Sequence, residues 1–157
     1  MPKKNKIEII AVLDNIRSMH NIGSIFRTCD AIGDCSIFLC GICAKPPNKE
    51  INKTALGATK NVQWQYFQTT KKAIQHLKEK NYNIIAIEQT TNSTELKEVS
   101  VNSEKVALIF GNEVKGVSED ILKLSDQVIE INQHGIKKSM NVSVVTGIIL
   151  WTIKNKL

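Results

Sequence analysis

The sequence contains no apolar run of about 18 residues, the length a membrane-spanning helix requires. Its opening stretch, MPKKNKIEIIAVLDN, carries neither the long apolar segment nor the small-residue cleavage site of a signal peptide. Both absences predict a cytoplasmic protein. Ready-made nucleophilic machinery is equally scarce. No Ser-His-Asp or Cys-His set and no carboxylate pair stands in a workable arrangement. Of the three histidines, His20 and His134 lie in loops beside Asn21 and Gly135, where either is a candidate base, and His76 falls on the polar side of a helix.

Cysteine is present but poorly spaced for metal or redox chemistry. Cys29, Cys35, Cys40 and Cys43 fall in one short stretch. The single C-x-x-C pair, Cys40 and Cys43 in CGIC, runs into AKPPNKE and not into a helix start. No second pair lies at zinc-ribbon distance. Reduced, mostly buried thiols and no metal are the expectation.

What remains is 157 residues at 42% hydrophobic, which suits one domain spanning 1–157 around a single core, with no separate RNA-binding extension. Lys and Arg number 21 against 15 Asp and Glu, a net charge of +6. The lysines are spread through PKKNK, KPPNKEINK, TKK, KEK and GIKKS. A basic face on a folded domain follows, with a polyanion such as RNA as partner.

Hydrophobic periodicity orders the chain. EIIAVL (8–13) reads as a strand, and NIGSIFRTCDAIG as a helix with Ile22, Ile25, Phe26 and Cys29 on one stripe, Asn21 as N-cap and Gly33 as stop. SIFLCGI is a second strand, and AKPPNKEINKTALGA a long loop with one helical turn. NVQWQYF alternates as a half-buried strand. TKKAIQHLKEKN is a helix with Ala73, Ile74 and Leu77 inward. YNIIAIEQ and KVALIF read as buried strands, EDILKLS as a helix capped by Ser118, DQVIEI as the last strand, and 139–156 as a long final helix. Strands alternating with helices predict an α/β domain with a mainly parallel sheet and helices on both faces.

Ligands of such sheets gather beyond the carboxyl ends of the strands. The loops there are DNIRSMHNIG, EQTTNS, GNEVKG and NQHGIKKSMN, which supply Asn21, Glu113, Ser139 and Asn141, with Arg27 on the helix that continues from the first. Gly111 and Gly116 have phosphate-loop spacing, but Val117 stands where that loop needs lysine, and Glu113 would oppose an anion. A polyphosphate is therefore the wrong ligand. Arg27, by spacing alone, is either a surface cation or a guanidinium fork for an RNA phosphate.

Three blocks, in order, carry a resemblance to the SpoU/TrmH family of the SPOUT superfamily, knotted S-adenosylmethionine-dependent RNA methyltransferases. NIGSIFRTCDAIG is similar to the family's first motif, with Asn21 and Arg27 on its Asn and Arg. IFGNEVKGVS is similar to the second, with Gly111, Glu113 and Gly116 in register, and IEINQHGIKKSMNVSVVTGIIL to the third, with Gly135, Ser139, Asn141 and Ser143 matching. NKTALGA between them is also of the family's kind. Asn132 and Gln133 depart from the usual Pro-Met, and Asn112 and Val114 stand where small residues are common.

The resemblance implies a C-terminal deep trefoil knot and a homodimer. It also implies S-adenosylmethionine as cofactor, with S-adenosylhomocysteine as product. Gly111, Gly116, Gly135, Ile131 and Met140 would form its slot, with Glu88, Gln89 and Thr90 as a further wall. The reaction implied is methyl transfer to a ribose 2′-hydroxyl of transfer or ribosomal RNA. Arg27 would bind phosphate and developing alkoxide, Asn21 would fix the nucleotide, Glu113 would orient Arg27 or Asn141, and Ser139 would donate to substrate. Three alternatives stay open: a catalytically silent RNA-binding module, a base-nitrogen methyltransferase of the same superfamily, and a small-molecule enzyme using the CGIC thiols.

Overall fold

A computed structural model describes residues 6–157, so the PKKNK run, apart from Lys6, lies outside the described residues. Among the described residues, seven strands form one sheet: β1 (Glu8–Asp14), β2 (Cys35–Cys40), β3 (Trp64–Phe67), β4 (Asn83–Ile87), β5 (Thr94–Glu95), β6 (Lys105–Phe110) and β7 (Gln127–Glu130). Their order is β3-β2-β1-β6-β4-β7-β5, and every pairing is parallel. Two-residue β5 has no hydrophobic alternation to announce it.

Period-2 alternation divides the core. Ile9, Ala11 and Leu13 of β1 and Val106, Leu108 and Phe110 of β6 face one side, packed with α1 (Met19–Ile32), α2 (Lys49–Ala55) and α5 (Val142–Lys156). Ile10, Val12, Ala107 and Ile109 face the other, against α3 (Thr70–Glu79) and α4 (Glu119–Leu124). The expected α/β arrangement with helices on both faces is thus present. No helix of the described residues is long and apolar enough to cross a membrane.

Several local expectations change. The segment expected to hold one helical turn instead forms α2, capped by Asn48 Oδ1 accepting from the N–H groups of Glu50 and Ile51 at 2.9 and 3.1 Å. Only Ile51 and Ala55 of α2 are buried, too few to show as a periodic stripe. Helix α1 starts two residues before Asn21. Ser18 is its N-cap, accepting from the Asn21 N–H at 3.2 Å, while Gly33 stops it as expected. The final helix begins at Val142, so Ser139 precedes it. His76 is half-buried, its ring 5.5 Å from that of Phe67.

Candidate active site

Because every strand runs the same way, the loops after β1, β4, β6 and β7 emerge at one end of the sheet. Those after β4, β6 and β7 line a cavity of about 820 Å³, within the range of small-molecule sites. Ile87, Phe110, Ile131, Met140, Val142 and Val145 supply its apolar wall.

The GNEVKG loop is a tight turn closed on itself. Gly116 N–H donates to Asn112 O at 2.8 Å, and Asn112 Oδ1 accepts from the N–H groups of Val114 and Lys115 at 2.9 and 3.0 Å. Asn112, a departure from the family pattern, therefore builds the turn through a side-chain mimic of a backbone acceptor. Its amide also donates to Asn15 O at 2.6 Å. A Cβ on Gly111 would strike the backbone of Gly116 and Val117, so the glycine is required by the turn's own closure. Gly116 has φ +66°, and a Cβ there would collide with the Glu88 carboxylate. That carboxylate accepts from the N–H groups of Val117 and Gln89, both at 2.9 Å. Glu88 thus clamps the turn to the end of β4.

Glu113 reaches back to the start of α1. Its Oε2 accepts from Arg17 N–H at 2.9 Å and its Oε1 from Ser18 N–H at 3.0 Å, with Asn21 Nδ2 donating to Oε1 at 3.3 Å. Partial burial would raise its carboxyl, but these donors together hold it below the usual carboxylate range. Asn21 Oδ1 in turn accepts from Asn141 Nδ2 at 3.2 Å, and Asn141 Oδ1 accepts from Ser143 N–H and Oγ–H at 2.9 and 2.6 Å. The amide orientations are fixed from both ends. A carboxylate can only accept from Asn21, and a backbone N–H can only donate to Asn141. One relay, Glu113–Asn21–Asn141–Ser143, joins the second, first and third sequence motifs.

Of the residues expected at the site, Glu88, Gln89, Thr90, Gly111, Glu113, Gly116, Ile131, Ser139, Met140 and Asn141 line the cavity. Asn21 stands behind Glu113 and Asn141. Gly135 does not line it, is exposed, and would have open space around a Cβ. Arg27 is also outside. It lies about 9 Å along α1 and about 120° round the axis from Asn21, exposed and without a hydrogen-bond or ion-pair partner among the described residues. Glu113 therefore orients the start of α1 and Asn21, and reaches Asn141 only through Asn21. Gln89 Nε2 ties the β4 loop to Lys138 O at 3.1 Å. His20 pairs with Glu50 at 3.0 Å and, like His134, does not line the cavity.

The thiols are all buried and unbridged. Burial, the largest cause, pushes Cys40 up, and pushes Cys43 up to about 11. Among the described residues no group of three or more His, Cys, Asp or Glu is placed to hold a metal.

Asn112 and Gln133, noted as departures from the family pattern, line the cavity, as do Glu119 and Glu130, which sequence patterning missed. Glu119 was legible only as an acidic first turn of α4, and Glu130 only as the end of a strand. Among the described residues, the cavity lining holds four acidic residues, Glu88, Glu113, Glu119 and Glu130, and one basic residue, Lys115, with the Glu88 and Glu113 carboxylates already bonded to backbone N–H groups. That balance disfavours an anion and suits a cationic ligand whose ring system takes the apolar wall. S-adenosylmethionine, a sulfonium with an adenine, fits this donor set.

The chain matches the profile of the SpoU rRNA Methylase family over residues 8–151. It is 33% identical over 153 residues to the tRNA (guanosine(18)-2′-O)-methyltransferase of Aquifex aeolicus, covering 95% of this chain and 70% of that one. The Thermus thermophilus enzyme of the same name is 30% identical over 149 residues, covering 95% and 75%. In three dimensions, the AdoMet-bound rRNA methyltransferase from Sinorhizobium meliloti superposes with a TM-score of 0.89 at 26% identity, over 96% of this chain. The match spans only 57% of the Sinorhizobium protein. On the extent of the family match and the two enzyme relatives, the chain belongs to the SpoU rRNA Methylase family.

Proposed function

We propose that the protein transfers a methyl group from S-adenosylmethionine to a ribose 2′-hydroxyl of RNA, with transfer RNA favoured over ribosomal RNA. The observation that carries this reading is the Glu113–Asn21–Asn141–Ser143 relay at the edge of a cavity whose carboxylates suit a cation. The two enzyme relatives act, by name, on a ribose of transfer RNA.

When bound, the sulfonium supplies a methyl group on a neutral leaving group. The chain's own task is to position the hydroxyl and to stabilise its oxygen as the proton leaves. Asn21 and Asn141 are held rigid by their mutual bond, with Ser139 beside them as a donor to substrate. Arg27 serves as a fixed positive fork for phosphate and alkoxide. A guanidinium with a pKa above about 12 makes a poor base at neutral pH.

Arg27 reaches a cavity across a homodimer interface, completing the partner's site. Support for the dimer comes from α5, where Val144, Ile148 and Trp151 are 52%, 37% and 64% exposed at i, i+4, i+7. Such a stripe asks for a covering surface. The described residues act as one domain, and its C-terminal part is a trefoil knot. Support for the knot comes from the strand order, in which β7 stands between β4 and β5 although the chain runs from β5 back to β6 on the far side of β4. A transfer RNA substrate, as its relatives' names give for them, favours work in the cytoplasm.

Labelled S-adenosylmethionine, offered with unmodified transfer and ribosomal RNA, tests the reading. Label entering transfer RNA is expected. Label in neither pool while the cofactor binds would overturn it in favour of a silent RNA-binding module.

A further inference from the structure

The closest pair of thiols is not the C-x-x-C pair. Cys35 donates its S–H to Cys29 Sγ at 2.9 Å, whereas Cys40 is directed at Phe38 O, 4.0 Å away, and Cys43 donates to Leu13 O at 3.3 Å. The two sulfurs are nearer each other than the Cys43 sulfur is to an oxygen, although sulfur is the larger atom. A covalent S–S bond is about 2.05 Å long, so an approach of less than about 1 Å separates this pair from bonding.

The backbone holds the pair in this position. Cys29 lies in the last turns of α1 and Cys35 opens β2. Gly33 and Asp34, at φ +73° and +53°, reverse the chain between them. Gly33 N–H donates to Cys29 O at 3.0 Å and Ile9 N–H to Asp34 O at 3.1 Å, so both ends of the turn are anchored. Lys154 of α5 donates to the carbonyls of Ile32 and Gly33 from the other side.

The two residues differ in exposure. Cys29 is 1% exposed, whereas Cys35 is 9% exposed and borders a second cavity of about 950 Å³ at the amino ends of β1 and β2. This cavity shares no residue with the candidate active site. Cys35 borders this cavity and Cys29 does not.

We propose that Cys29 and Cys35 form a reversible disulfide by exchange with a low-molecular-weight disulfide. The Cys35 thiolate attacks one sulfur of R–S–S–R and the first R–S⁻ leaves, taking up a proton. Cys29 then loses its proton and attacks the Cys35 sulfur, releasing the second R–SH. Two protein thiols are oxidised to one disulfide, and one R–S–S–R is reduced to two R–SH. The bond fastens the end of α1, the helix carrying Asn21 and Arg27, to the sheet.

The test uses the folded, reduced protein and oxidised glutathione. After acid quenching and alkylation in denaturant, cleavage before Asp30 and Asp34 separates Cys29 from a peptide that holds Cys35, Cys40 and Cys43 together, and fragmentation of that peptide locates the alkylated thiols. The expected result is a loss of two hydrogens, a cross-link joining the Cys29 and Cys35 peptides, alkylated Cys40 and Cys43, and full reversal by dithiothreitol. Cys29→Ser should instead retain one glutathione on Cys35. A Cys40–Cys43 bridge, a wild-type adduct that stops at Cys35, or four alkylated cysteines would each overturn the proposal, and the wild-type map decides even if the variant fails to fold.

Discussion

Asn141 donates its side-chain amide to Asn21 Oδ1 at 3.2 Å, joining the cap of the last helix to the first turn of the first across 120 positions of sequence. The same Asn141 accepts from Ser143 as the N-cap of α5. Its two roles separate by substitution. Asn141→Asp keeps an acceptor for the cap but loses the amide, so thermal stability should stay near wild type while methyl transfer falls by roughly 10²-fold. Asn141→Ala should additionally cost about 1 kcal/mol in chemical denaturation. Equal activity in Asn141→Asp and wild type would remove the relay from the mechanism.

Glu113 ties stability to pH in a defined direction. Its folded-state pKa is lowered, so its contribution is fully present above the unfolded value of about 4.3 and is lost as pH falls through the lower folded value. Wild type should therefore lose melting temperature across that acid window. Glu113→Gln, which has no charge to titrate there, should show a flatter acid limb and a lower plateau at neutral pH. Parallel curves for the two proteins would contradict the assignment.

The glycines sort by geometry and not by motif membership. Gly111→Ala should destabilise by about 2–3 kcal/mol, because its Cβ meets backbone that cannot move without opening the turn. Gly135→Ala, in the open, should stay within about 0.5 kcal/mol. Denaturant midpoints at constant slope measure both.

Arg27 distinguishes a shared site from a self-contained one. Arg27→Lys should lose roughly 10²-fold in rate if the planar fork is required. Mixing Arg27→Ala with Asn141→Asp subunits leaves one intact site per heterodimer when Arg27 acts across the interface, so activity should partly return. If Arg27 acts within its own chain, no intact site exists in the mixture and none returns.

Local and short-range features were legible in the sequence. The strands β1, β2, β4 and β6 follow from apolar alternation or runs, and the stripe of Ala73, Ile74 and Leu77 places α3 as observed. What escaped depends on partners far away in sequence. Asn21 reads as a cap from its neighbours, yet the helix begins at Met19 with Ser18 as its cap, and the Asn21 side chain is engaged instead by Glu113, 92 positions on. Glu88 suits a cofactor wall by position, and only the fold shows its carboxylate clamped on Val117. The C-x-x-C spacing drew attention to Cys40 and Cys43, whereas the turn at Gly33 and Asp34 brings Cys29 and Cys35 together.

The most direct measurement is the chemical position of the transferred methyl group. A methylated 2′-oxygen cannot attack its neighbouring phosphate, so RNA labelled by the wild-type protein should yield its label in alkali-resistant dinucleotides, and Arg27→Ala should yield almost none. Label released in mononucleotides carrying a methylated base would contradict the account, leaving the fold intact but moving the reaction from ribose to base.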